Sequence, residues 1–200
     1  MSNEKVLVWD PLLRIFHWTL VVAFFTAYAT GEDAPPLHEW MGYTVLALVL
    51  FRIVSGFIGS EHARFGDFLR GPGQVLANLR DIVLLRPKRY LGHSPAGGAM
   101  VILLLAMLLA TTATGIVGEQ SEHTAASASP VATAIAGEND NKTQRVVAEE
   151  EAGSPMVEAH KALANLTLAL VFLHIAGVIL ASFTHRENLI ASMFTGRKRA

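Results

Sequence analysis

Four histidines lie within or at the ends of long apolar segments of this 200-residue chain: His17, His38, His160 and His174. A histidine in such a segment can bind a metal, relay a proton or form a hydrogen bond to a neighbouring helix. Because a polar ring is costly in hydrocarbon, intramembrane histidines usually mark function. These four residues are therefore the first candidates for chemistry in the sequence.

Four apolar segments of the chain approach the ~20 residues that a helix needs to cross a bilayer. They span residues 11–30, 40–58, 96–117 and 160–184. Hydrophobic residues make up 52% of the chain and charged residues only 16%, against about 25% charged in an average soluble protein. We therefore predict an all-α fold, an integral membrane four-helix bundle in which residues 1–200 form one domain.

The connections between the spans differ in character. Residues 118–159 are rich in Ala, Ser, Thr and Glu without a clear apolar period, which predicts an irregular outer loop. Residues 73–85 combine spaced apolar residues with arginines, which suits a short interfacial helix. An alternative for the first span is a cleaved signal peptide, because Ala27-Tyr28-Ala29 resembles a cleavage site. Cleavage there would remove His17.

The distribution of Lys and Arg predicts the direction of the spans. The N-terminal segment through Arg14, residues 59–95 and the tail from Thr184 hold 12 of the 16 basic residues. Cytoplasmic segments of membrane proteins carry this excess. Both termini are therefore predicted to be cytoplasmic, in the inner membrane of a bacterium. The two outer connections hold 3 and 8 acidic residues, so the outer face should attract a cationic partner.

The depths of the four histidines match in pairs. His160 and His174 are 14 residues apart, which places them about 21 Å apart along a helix. Their directions around the helix axis differ by roughly 40°, so they share one face. His174 and His17 then both lie roughly 9 Å from the inner edge of the bilayer core. His38, just before the second span, lies at the outer edge with His160. The predicted pairs are His17 with His174 and His38 with His160.

Two histidines at one level on different helices are what axial ligation of a haem iron requires. Zinc or copper sites usually need three or four ligands at one level. The chain has no cysteine, which excludes thiolate metal sites and covalent c-type haem attachment. The pattern favours two b-type haems, and Gly42, Ala164 and Gly177 near the histidines would leave room for flat rings.

Other residues carry weaker signals. Arg52, near the inner end of the second span, is predicted either to reach lipid headgroups or to pair with a propionate of the inner haem. Lys161 could do the same for the outer haem or serve as an interfacial anchor. His93 is read as an exposed loop residue, with contact to a quinone or a propionate as the alternative. A net charge of −1 and the lack of a basic, aromatic patch argue against nucleic acid as a partner.

Several motifs together resemble the prokaryotic cytochrome b561 family, which includes the di-haem membrane subunits of nickel–iron hydrogenases. The motifs are RIFHW (14–18), LHEWMGY (37–43), GHSPAGG (92–98), HKALAN (160–165) with LH (173–174), HRENL (185–189) and GRK (196–198). The resemblance covers nearly the whole chain except residues 118–156.

This resemblance implies a four-helix membrane cytochrome of the respiratory chain, with two b haems held by His17, His38, His160 and His174. Such a protein would exchange electrons between a quinone pool, ubiquinone or menaquinone, and a partner. The partner would be a periplasmic c-type cytochrome, a hydrogenase or a dehydrogenase subunit. The protein could be an electron carrier or a subunit of a quinone-linked oxidoreductase.

Two readings from other functional classes stay open on the sequence. A membrane transporter could use the intramembrane histidines as a proton or metal relay. A membrane anchor of a redox complex would need no cofactor of its own and would tolerate replacement of the histidines. Haem content separates both from the electron-transfer hypothesis.

Overall fold

The computed structural model describes residues 5–58, 64–84, 90, 92–135 and 155–199. In these residues the chain is helical apart from two short strands. The elements in order are β1 (Lys5–Leu7), α1 (Pro11–Thr30), α2 (Pro35–Ile58), α3 (Phe65–Phe68), α4 (Pro72–Val83), α5 (Pro95–Ile135), α6 (Pro155–His185), α7 (Leu189–Thr195) and β2 (Arg197–Arg199).

Four of the described helices are long and apolar enough to span a membrane: α1, α2, the first 26 residues of α5, and α6. Large apolar side chains on them are exposed, among them Ile15 at 66%, Phe57 at 72% and Phe183 at 76%. A water-soluble bundle would bury such side chains, whereas lipid can cover them. The prediction of a multi-pass membrane fold is confirmed in the number of candidate spans, which is four.

Proline sets where the long helices begin. Each of α1, α2, α4, α5 and α6 has proline as its first residue, where its missing N–H is not needed and its fixed φ suits the helix. Asp10 adds a cap to α1, since its side chain accepts a hydrogen bond of 2.8 Å from the backbone N–H of Leu13. These local signals place the start of α1 only six residues before His17.

Three predicted boundaries are wrong. Helix α2 begins at Pro35 rather than residue 40 and α6 at Pro155 rather than 160, so His38 and His160 lie inside helices. Helix α5 continues to Ile135, so residues 118–135 are not the irregular loop that was predicted. Extending an existing helix needs no new nucleation, and the alanines of this stretch favour it. The rest of the predicted loop, residues 136–154, lies outside the described residues.

The core of the bundle lies where α1, α2 and α5 meet. Its buried cluster consists of Ala23, Phe24, Val45, Val49, Leu105 and Leu108. Helix α6 packs most extensively against α5, and α1 packs against α2. A helix, α4, is present where a short interfacial helix was predicted, and it contacts α5.

The two ends of the chain pair with each other. Strands β1 and β2 form an antiparallel ribbon in which Leu7 lies opposite Arg197. The backbone N–H groups of Val8 and Trp9 donate to the carbonyl of Gly196, which has a left-handed φ of 77°. Both termini therefore lie at the same end of the bundle, as four spans require. We call this the terminal end and the opposite one the distal end.

Candidate cofactor sites

A cavity of about 660 Å³ opens at the distal end of the bundle, and His38 and His160 both line it. Its walls come from all four spans, and Phe24, Val45 and Leu108 make part of it apolar. Ligand cavities in proteins typically measure about 300–1,000 Å³ and are mostly apolar with a few placed polar groups. The distal cavity has the size and lining of a site for a large organic cofactor.

The rings of His38 and His160 meet edge to face, with centroids 5.8 Å apart and planes at 87°. With metal–nitrogen bonds of about 2 Å on each side and ring radii of about 1 Å, two axial imidazoles would have centroids about 6 Å apart. The pair that depth matching selected is thus brought together at a separation suited to one metal ion between the rings.

One nitrogen of each ring is already engaged by the backbone. His38 Nδ1 lies 2.8 Å from the carbonyl oxygen of Ala27, and His160 Nδ1 lies 2.8 Å from that of Thr111. A carbonyl only accepts, so in each ring Nδ1 donates, and in the neutral imidazole Nε2 is then the acceptor. Metal-binding histidines almost always hold their second nitrogen in this way. Both rings are therefore prepared to offer Nε2 to a metal.

Small residues surround the two rings. A Cβ on Gly115 would lie 3.0 Å from His160 Cε1, so only glycine allows this ring position. By contrast, a Cβ on Gly42 would meet nothing within 4 Å, because Gly42 borders the cavity. Gly42 and Ala164, which the sequence singled out, both line the cavity. Gly115 was missed, since its role depends on how α5 packs against α6.

A buried pair of hydroxyls fixes α5 against α6 beside His160. The Oγ1 atoms of Thr111 and Thr167 lie 3.3 Å apart, and the two residues are 8% and 0% exposed. Thr111 also provides the carbonyl that accepts from His160. Sequence reasoning did not find this pair, although a polar residue in an apolar span is the signal that could have found it.

The entrance of the distal cavity is polar. We call Glu32, Asp33, Glu39 and Glu119, which all line the cavity, the acidic rim. Tyr28 donates a hydrogen bond of 2.6 Å to Asn165 Oδ1 at the same opening. Lys161 also lines the cavity, and its Nζ lies 3.6 Å from Glu158 in a pair that is more than half exposed. Such a pair contributes little stability, so Lys161 stays available to an anionic group.

His17 and His174 lie towards the terminal end. Their side chains interact electrostatically, so α1 and α6 bring them into the same region. His17 Nδ1 is buried and has no hydrogen-bond partner among the described residues. A buried polar atom without a partner is uncommon and needs an explanation. A cofactor held between α1 and α6 would provide one.

Arg52 is buried, with 3% of its surface exposed. Its guanidinium lies over the ring of Phe65 at 5.1 Å from the centroid, and it interacts electrostatically with Asp10. The predicted alternative of a side chain reaching lipid headgroups is therefore wrong, because protein covers Arg52 on all sides. The structure keeps a cation inside the terminal half of the bundle, as an anionic cofactor group there would require.

His93 packs against the terminal ribbon. Its ring meets that of Trp9 edge to face, with centroids 4.8 Å apart. Lys198 Nζ lies 5.1 Å from the centroid of the Trp9 ring and 3.4 Å from the carbonyl of Gly92. His93 is half-buried, so its prediction as an exposed loop residue is wrong. It joins the connection before α5 to both chain ends.

The arrangement favours haem over a bare metal ion. Within the described ranges, no group of three or more His, Asp or Glu side chains is placed to hold a metal. A haem iron needs only two axial ligands because the macrocycle supplies the other four. Paired histidines at a large, partly apolar cavity fit that requirement.

The chain matches the model of one protein family. The model of the family described as prokaryotic cytochrome b561 matches residues 8–196. No curated protein and no solved structure matches the chain. The matched range includes all four histidines and the four spans.

Proposed function

Because this chain belongs to the prokaryotic cytochrome b561 family, a family of membrane electron-transfer proteins with haem b, we propose that it carries electrons across the membrane through two haems. His38 and His160 would hold the distal haem. His17 and His174 would hold the terminal haem. Each iron would take one nitrogen from each of two helices.

The observation that carries this proposal is the geometry of His38 and His160. The two rings meet edge to face with centroids 5.8 Å apart at a cavity of about 660 Å³, and the backbone engages Nδ1 of both. A histidine with a purely structural role would not need a second histidine beside it on another helix. A proton relay would also not need a cavity of this size beside the paired rings.

The haem irons, when bound, supply one-electron redox chemistry, and the protein supplies position and environment. The Ala27 and Thr111 carbonyls hold the distal rings in one orientation and tautomer. Phe24 and Leu108 keep water from one side of the distal cavity. In the terminal half, buried Arg52 is the candidate partner for a haem propionate.

The spacing of the sites supports transfer across the bilayer. His160 and His174 are both in the continuous helix α6, and 14 residues of helix rise about 21 Å. That is most of a hydrocarbon core of about 30 Å. Two haems at these levels would bring an electron close to either surface.

The charge distribution supports an orientation and a class of partners. The basic segments all connect to the terminal end, which would be cytoplasmic, in a bacterial inner membrane. The acidic rim would then face the periplasm, where it suits a cationic redox protein such as a c-type cytochrome. We propose that electrons pass between such a partner, or a hydrogenase or dehydrogenase subunit, and a quinone of the ubiquinone or menaquinone type.

The first test is the visible spectrum of the detergent-solubilised protein with a pyridine haemochrome count of haem per chain. We expect a low-spin b-type spectrum and about two haems per chain. A colourless protein from a haem-replete host would contradict the proposal and favour the transporter or anchor alternatives.

Single replacements test the ligand pairs. His160→Ala and His174→Ala should each reduce the count to one haem, with different residual spectra. His185→Ala, at the end of the same helix, should keep both haems and is the matched control. Retention of two haems in both ligand variants would refute the assignment.

A further inference from the structure

A second cavity, of about 350 Å³, lies at the terminal end beside the ribbon. Its walls are Leu7 of β1, Arg14 of α1, Thr195 of α7 and Arg197 of β2. We call it the arginine pocket. It is built from the first span and both ends of the chain, so it exists only when the ribbon has formed.

In the described part of the chain, no acidic side chain forms an ion pair with either arginine. Arg14 is held in place because its Nη1 donates to the carbonyl of Phe194, while its Nε is buried without a hydrogen-bond partner among the described residues. Arg14 is partly buried and Arg197 is exposed, so both guanidinium groups keep donors that an anion from outside could reach.

Asp10, the N-cap of α1, is the acidic residue nearest to Arg14 in the sequence, and it interacts with other groups. Asp10 lies one helical turn before Arg14, but its side chain accepts from the backbone of Leu13. It also interacts electrostatically with Arg52. The positive charge of the arginine pocket is therefore left for a ligand.

We propose that the arginine pocket binds the phosphate group of an anionic phospholipid. Guanidinium groups match phosphate with paired N–H donors, and Arg is the preferred residue for such contacts. Two arginines from different elements can hold one phosphate from two sides. This site is separate from the haem proposal and does not depend on it.

The surroundings favour a lipid over a free phosphate ion. Leu7, in the wall of the pocket, and Phe194, beside it, are each 60% exposed. Phe194 stacks on Trp18 of the first span, with centroids 4.4 Å apart. This apolar surface continues from the pocket along α1 towards the membrane interior, where acyl chains attached to the phosphate would lie.

The test is a binding titration on the detergent-solubilised, full-length protein. The probes are short-chain phosphatidylglycerol, phosphatidylcholine with the same chains, and inorganic phosphate, with native mass spectrometry to count bound molecules. Arg197→Gln removes one arginine of the pocket. Arg80→Gln, on exposed α4, removes the same charge at the same end of the bundle and is the matched control.

We expect phosphatidylglycerol to bind, Arg197→Gln to weaken it about tenfold or more, and Arg80→Gln to change it less than twofold. Arg197→Lys should lie between the wild type and the glutamine variant, because it keeps the charge and loses the paired donors. Haem content and elution volume should be unchanged, which shows that the variants fold.

Four results would overturn the proposal. Equal weakening by both glutamine variants would indicate diffuse surface charge. Equal affinity for phosphatidylcholine would show that the pocket does not recognise the net negative charge of the lipid. Inorganic phosphate binding as tightly as the lipid would identify a soluble ligand. Loss of a haem in Arg197→Gln would assign the pocket to a haem propionate.

Discussion

Replacing Gly115 by alanine tests how the distal site is held. The new Cβ would lie 3.0 Å from Cε1 and 3.1 Å from Nδ1 of His160, where van der Waals contact needs about 3.4 Å or more. The ring must move by a few tenths of an ångström. The hydrogen bond of 2.8 Å from Nδ1 to the Thr111 carbonyl would lengthen or bend.

The expected effect is on haem rather than on the fold. Loss of an outer-sphere hydrogen bond at a metal-binding histidine typically lowers metal affinity about 10- to 100-fold. Alanine favours a helix by about 1 kcal/mol over glycine, so the substitution should not unfold α5. A fall in distal haem affinity would therefore report the displaced ring.

The assay measures haem per chain and the rate at which each variant loses haem to an excess of an apo-globin acceptor. Gly73→Ala is the matched control, because a Cβ there meets nothing within 4 Å and α4 lies outside the spans. We expect Gly115→Ala to release one of its two haems about tenfold faster or more and Gly73→Ala to behave as the wild type. Identical haem loss in the two variants would refute the role of Gly115.

Three further changes probe other parts of the structure. Thr167→Val removes the buried hydroxyl pair and should lower the free energy of unfolding by about 1 kcal/mol and shift the midpoint potential of one haem. Thr184→Val, at an exposed site, should change neither the free energy of unfolding nor the midpoint potential. Equal effects of the two variants would refute the role of the hydroxyl pair. Arg52→Gln should weaken binding of the terminal haem while leaving the distal one intact, as redox titration would show; loss of both haems together would point to a general folding defect. Neutralising the acidic rim should slow electron exchange with a cationic cytochrome at low salt and leave it unchanged at high salt. If the wild-type rate did not depend on salt, the proposed docking role of the acidic rim would be refuted.

The spans and the levels of the histidines were predictable because they follow from local rules. Apolar length fixes the number of spans, and the helix rise relates positions such as 160 and 174 to depth. Since α6 is one continuous helix, that arithmetic applies to it directly. It paired His38 with His160, and the structure brings the two rings together with centroids 5.8 Å apart.

The features that sequence reasoning missed depend on contacts between distant parts of the chain. Gly115 matters only because α5 and α6 cross beside it. The Thr111 carbonyl carries no side-chain signature at all, since every residue has a carbonyl. The terminal ribbon joins strands of three residues each, too short for a strand pattern to be recognised.

The terminal ribbon also sets an order of assembly. Strand β2 follows all four spans along the chain, whereas its partner β1 precedes them. The arginine pocket and the packing of Lys198 on Trp9 therefore cannot form until β2 has been synthesised. A chain that stops before residue 197 would lack the ribbon and leave this end of the bundle unpaired.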